Sequence, residues 1–145
     1  MHRKVASTLV VLALAFAGIA GCGGGDEPLT RAEFVKQANA ACVVKQQRTS
    51  TTERTRGPAG FLTQIVAQQQ EILDGLEDLD APDQLDNSFN ALKKAMQERV
   101  DIVEKALAAV KEDPKTKLET FGTQAEVPQK AISRSSKALG LKNCT

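Results

Sequence analysis

Leu85-Asp86-Asn87-Ser88-Phe89-Asn90-Ala91-Leu92-Lys93-Lys94-Ala95-Met96-Gln97-Glu98-Arg99-Val100, residues 85–100, brings Leu85, Phe89, Leu92, Met96 and Val100 back to one side at steps of three and four. Steps of that size trace one face of a 3.6-residue helix, with charged and amide side chains on the reverse. The stripe continues through Val103, Leu107 and Val110, which predicts a helix from about Pro82 to Glu112. A long helix with a single apolar side is stable only when other helices cover that side. Its neighbours in the sequence supply them.

Upstream, Leu62, Ile65, Gln69, Ile72, Leu76 and Leu79 again alternate by three and four, and Phe61 and Val66 widen that stripe. Gly57-Pro58 opens this helix, with Pro58 in the first turn, where a missing N–H is harmless. Asp80-Ala81-Pro82 closes it and starts the next, with Asp80 as the expected N-cap. Earlier still, Leu29-Thr30-Arg31-Ala32-Glu33-Phe34 carries a capping box (Thr30 with Glu33) and a hydrophobic staple (Leu29 with Phe34). This first helix is expected to reach about Arg54, with Phe34, Val35, Ala38, Ala41 and Cys42 inward and a weak end at Thr49-Ser50-Thr51-Thr52.

Downstream, Asp113-Pro114 reads as a cap followed by a first-turn proline, opening a fourth helix. Its stripe is Leu118, Phe121, Ala125, Pro128, Ile132, Ser135 and Leu139. Pro128 removes one backbone donor inside that stripe, so the helix is expected to be kinked or split near it. Gly140 has the place of a left-handed terminator, with Leu141 folding back. Four helical patterns joined by short turns, with no strand-like alternation and no internal repeat, predict an all-α fold, an antiparallel up-down-up-down four-helix bundle.

The N-terminus has a different character. His2, Arg3 and Lys4 precede an uncharged run from Val5 to Ala20, which ends in Ile19-Ala20-Gly21-Cys22. The run is short for a spanning helix, which needs ~20 apolar residues, and suits a signal peptide. An aliphatic residue, two small residues and a cysteine resemble the lipobox of bacterial lipoproteins. The resemblance implies cleavage between Gly21 and Cys22 and diacylation of the Cys22 sulfur. The expected organisation is a signal peptide at 1–21, a lipidated cysteine with a Gly-rich tether at 22–28, and a helical domain at 29–145. The tether is too short to carry the domain far from the headgroups.

Two further cysteines remain, Cys42 and Cys144, and an even pair in an exported chain reads as a disulfide. A redox or metal-binding pair is the alternative, but no C-x-x-C spacing occurs and the sole histidine, His2, belongs to the leader. Placing Cys42 twelve residues into a helix would set it ~18 Å from the start of that helix. The tail after Gly140 must therefore turn back along the bundle, or the fourth helix must stop early. Thr30 to Cys42 (T-x-x-E-F-x-x-x-A-N-A-x-C), Leu79-Asp80-Ala81-Pro82 and Leu141-Lys142-Asn143-Cys144 resemble small exported lipoproteins of actinobacteria. That resemblance implies compartment and disulfide, and no activity.

Candidate sites are sparse. Glu71, Asp74, Glu77, Asp78, Asp80, Asp83 and Asp86 crowd sixteen residues within a stretch free of Lys and Arg from Gly57 to Leu92. Asp74, Asp78, Asp80 and Asp83 are weak candidates for a calcium site, and a solvated acidic corner is the simpler reading, because the order does not fit a D-x-D-x-D-G loop. The segment Arg31–Arg56 is basic and could face that corner. Asn39, Gln69 and Ser135 form a polar set within the apolar stripes, read first as a device that fixes helix register. Ala38, Gln69, Gly122 and Pro128 are candidates for a groove that takes a small apolar ligand. Phe34, Phe61, Phe89 and Phe121 are expected in the core.

Composition narrows the function. Of the 19 Lys and Arg, Arg3 and Lys4 leave with the leader, so 17 remain against 18 Asp and Glu, a mature charge of −1. A near-neutral body gives no electrostatic case for nucleic acid. Without histidine, a Gly-rich phosphate loop or a free thiol in the mature chain, no catalytic residue and no cofactor is predicted. The expectation is a non-enzymatic binding or interaction module on the outer face of the cell membrane, held by its lipid, with an envelope protein as partner. The alternative is a carrier of a small apolar ligand or calcium, using Gly122/Pro128 or the Glu71–Asp86 corner.

Overall fold

The computed structural model describes residues 29–43 and 57–144. They form four α-helices: α1 (Arg31–Cys42), α2 (Gly57–Glu77), α3 (Asp83–Glu112) and α4 (Glu119–Leu139). No strand occurs among the described residues. Helix α3 is the centre of the packing: α4 and α2 both lie against it, and α1 packs on α2.

The capping box opens α1 as its residues predict. The Glu33 N–H donates to Thr30 Oγ1 at 3.3 Å, and the Thr30 N–H donates to Glu33 Oε2 at 3.0 Å. Each bond satisfies a donor that the first helical turn leaves orphaned. Phe34, Ala38 and Cys42 are buried along one face, with Val35 and Ala41 partly covered. The helix then ends at Cys42, well short of Arg54. Val43 leaves helical geometry (φ −80°, ψ 71°) and is 57% exposed, so the apolar face that α1 buries is finished there. Residues 44–56, which include Thr49–Thr52, lie outside the described residues.

A short α1 covers only one end of α2, and burial along α2 follows from that. Leu73 and Leu76 join the main core with Phe34 and Ala38, whereas Ile65, Gln69 and Ile72 are only half-covered. Leu73, absent from the predicted stripe, is nearly inaccessible and belongs to the main core. Phe61, expected in the core, is 52% exposed. Between α1 and α2 the backbones come close at Gly75: a Cβ placed there would stand 3.3 Å from Ala41 Cβ.

Two expected caps are corrected. Asp80 does not cap α3; Pro82 holds the N-cap position without a side-chain bond, and residues 79–82 run outside any helix. Asp83 and Asp86 still place negative charge in the first turn, where the helix dipole favours it. Asp113 closes α3 instead of opening α4. Its N–H donates to the Ala109 carbonyl at 2.9 Å, and its carboxylate accepts the Lys115 N–H at 2.9 Å. That local turn uses up Pro114, so α4 begins five residues later at Glu119 without a side-chain cap.

Core burial along α3 uses Leu85, Phe89, Leu92, Met96, Val100 and Val110 from the predicted stripe, plus Ala95 and Ala106. The two alanines are buried because α3 is covered from more than one side. Phe34 and Phe89 meet edge to face, centroids 4.9 Å apart and planes at 84°, a geometry in which ring edges point at ring faces. A second, smaller cluster forms at the other end from Leu62, Ala106 and Val110, with Phe121 and Leu118 against it. Helix α4 continues on both sides of the buried Pro128. At its end Gly140 adopts φ 79°, ψ 21°; its N–H donates to the Lys137 carbonyl and that of Leu141 to the Ser136 carbonyl. This is the glycine-terminated reversal that places Leu141 back on the core.

Candidate functional site

The reversal at Gly140 delivers the tail to α1, and a single side chain receives it. Asn39 Oδ1 accepts the N–H groups of Lys142 (2.8 Å) and Asn143 (3.1 Å). Asn39 Nδ2 donates to the Val35 carbonyl at 2.9 Å, which fixes the amide's orientation. The Asn143 side-chain amide donates to the Asn39 carbonyl at 3.3 Å. From below, the buried Ser136 hydroxyl donates to the Cys144 carbonyl at 3.0 Å. The Cys42 and Cys144 sulfurs sit at disulfide distance, with Cα atoms 5.1 Å apart and both residues 6% exposed. Helix α4 runs its full length to Leu139, and the reversal at Gly140 turns the tail back to Cys42.

The polar set therefore divides. Asn39 does not fix register between helices; it clamps the tail. Ser135 is buried on α4, and its neighbour Ser136, which periodicity passes over, makes the tail bond. Gln69 lines a small hollow that the tail residues Asn143 and Cys144 also border. The four groove candidates are also dispersed. Ala38 is fully buried, Gln69 lines that hollow, Gly122 is exposed with open space beside it, and Pro128 borders an open depression of about 320 Å³ with Val127 and Ile102.

Asp74, Asp78, Asp80 and Asp83 are all exposed. Asp74 accepts from Gln70 Nε2 at 2.9 Å, an ordinary pair one helical turn apart. Among the described residues no group of three or more His, Cys, Asp and Glu has the spacing to hold a metal ion. Of the basic segment Arg31–Arg56, only Arg31 and Lys36 among the charged cations are described, and both are exposed. Cys22 and Gly21 lie outside the described residues. No described helix is long and apolar enough to cross a membrane.

The hollow at Gln69 contains a group that the apolar stripes do not reveal. It measures about 70 Å³ and is lined by Ile72, Met96 and Ile132 together with Gln69 and Arg99. Asn143 and Cys144 of the clamped tail close it. Arg99 is half-buried, and burial pushes its guanidinium below its ordinary pKa. No carboxylate among the described residues is within ion-pair distance of it; among those residues the ion pair is Lys130 with Glu126 at 3.5 Å, exposed on α4. The signal in the sequence was faint: Arg99 adjoins Val100 and follows Met96 by three, at the margin of the α3 stripe.

Among the described residues the arrangement offers amide and guanidinium donors beside apolar surface. No family model, no curated protein and no solved structure matches this chain.

Proposed function

We propose that the protein is a lipoprotein of the bacterial cell envelope, anchored through Cys22 to the outer face of the membrane, whose helical domain is a non-enzymatic interaction module. The observation that carries this reading is the buried Cys42–Cys144 pair, with the tail around it held by Asn39 and Ser136. Structural disulfides belong to exported compartments, where thiols are not kept reduced. A lipobox-like Ile19-Ala20-Gly21-Cys22 at the end of an apolar run gives the same compartment from an independent part of the chain. In this reading the helices follow an antiparallel up-down course, and Pro128 bends α4, since the Gln124 carbonyl loses its donor there.

The module presents its partner, an envelope protein, with a rigid surface close to the headgroups, because the 22–28 tether is short. Phe61 and Val127 are its exposed apolar anchors, 52% and 71% accessible. Photo-crosslinking from positions 61 and 127 of the full chain in intact cells tests the idea. One recurring envelope protein captured from those positions, and not from exposed Lys111, is the expected result. Repeated recovery of the chain alone counts against an interaction module.

A further inference from the structure

Two unsatisfied polar groups share the hollow between α2, α3, α4 and the tail. Neither Arg99 nor Gln69 has an ion-pair or hydrogen-bond partner among the described residues, and both border the same 70 Å³ space. Arg99 is half-buried, so its guanidinium has lost part of its hydration with no described carboxylate beside it, and an anion there would replace what was lost. We infer that this hollow is a binding site for a small aliphatic carboxylate, with Arg99 receiving the carboxylate and Gln69 adding an amide donor.

Three features select that chemistry. A planar guanidinium fork matches a carboxylate in two parallel bonds, which a halide does not exploit. One cation balances a monoanion, whereas sulfate or phosphate, doubly charged and strongly hydrated, would need more positive charge than the hollow holds. Ile72, Met96 and Ile132 suit a short alkyl end rather than a second charge. The space of about 70 Å³ equals roughly two waters at ~30 Å³ each, enough for an acid of very few heavy atoms and too little for a fatty chain. Because Asn143 and Cys144 form one wall, the site exists only while the tail is clamped. None of this depends on acylation of Cys22, so the site and the lipid anchor stand or fall separately.

The test follows the Arg99 Nε–H signal of the oxidised full chain by nitrogen-15 NMR while sodium propionate is added. Propionamide, sodium chloride, sulfate and inorganic phosphate at matched ionic strength are the other arms. A saturating shift with propionate, half-complete at a concentration about tenfold or more below that of chloride, is expected. Propionamide should give none. R99Q should abolish stabilisation of the fold by propionate, and R99K, which keeps charge but loses the fork, should weaken it. Gln69→Leu, read on the Arg99 signal, should raise the half-saturation and serves if R99Q does not fold. A non-saturating response, equal effects of chloride and propionate, or an unchanged half-saturation in Gln69→Leu would overturn the site. Tighter binding of sulfate or phosphate would overturn the carboxylate assignment.

Discussion

Replacing Cys42 and Cys144 by serine removes the one covalent link between α1 and the tail, and its cost follows from their separation. The two lie 102 residues apart. Closing a loop of that size in the unfolded chain is worth ~4.7 kcal/mol in the entropy model, and measured disulfides of this kind centre on ~2–4 kcal/mol. Domains of this size are stable by ~5–15 kcal/mol, so the bond is a large share of the total. Asn39 and Ser136 continue to hold the tail without it, which favours the lower part of that range. With a urea slope of ~1.5 kcal/mol per molar, a loss of ~3 kcal/mol moves the unfolding midpoint down by ~2 M. Circular dichroism at increasing urea reads this directly, on the double variant and on the chemically reduced wild type. Both should shift together. A midpoint that falls by less than ~0.5 M would mean that the pair is not formed in the folded protein or that the unfolded chain is already constrained.

The remaining predictions concern backbone approach, a cap and the clamp. Gly122→Ala adds a methyl where nothing lies within 4 Å, so it should stabilise by ~0.5–1 kcal/mol through helix propensity and raise the melting point by about 2–5 °C. Gly75→Leu drives a side chain into Ala41, 3.3 Å from the first added carbon, and should cost ~1–3 kcal/mol with loss of exchange protection in α1. The Thr30 hydroxyl, and then its backbone N–H, hold the Glu33 carboxyl below the usual carboxylate range. Its contribution is therefore complete above that range and vanishes as pH falls through the lowered value. The melting-point gap between wild type and Glu33→Gln should close on that descent and stay constant from there to neutrality. Asn39→Ala removes the acceptor for two tail amides and should cost ~1 kcal/mol, with faster hydrogen exchange at Lys142 and Asn143 as the local readout.

The helices were legible where one physical cause dominates. The Leu85–Val110 stripe, the Thr30–Glu33 box and the Gly140 reversal each depend on residues a few positions apart, and each is realised. What required the tertiary structure was the length of α1. Nothing local in Val43 announces that α1 stops there, at an exposed residue that leaves helical geometry. With α1 ending at Cys42, Phe61 near the start of α2 is left exposed. The caps at Asp80 and Asp113 were misplaced because an Asp-Pro or Asp-x-Pro run suits both the end of one helix and the start of the next. The hollow at Arg99 could not be read from spacing, since it joins positions on three helices and a tail whose course depends on Asn39.

The anchored module depends on the chemistry of one sulfur, that of Cys22, which precedes the helical domain. Intact-mass and N-terminal peptide measurements on the protein isolated from its own cells test it most directly. A chain that begins at Cys22 and carries the mass of a diacylglyceryl group on that residue is predicted. A chain that retains Met1, or a free thiol at Cys22, would contradict the anchored module.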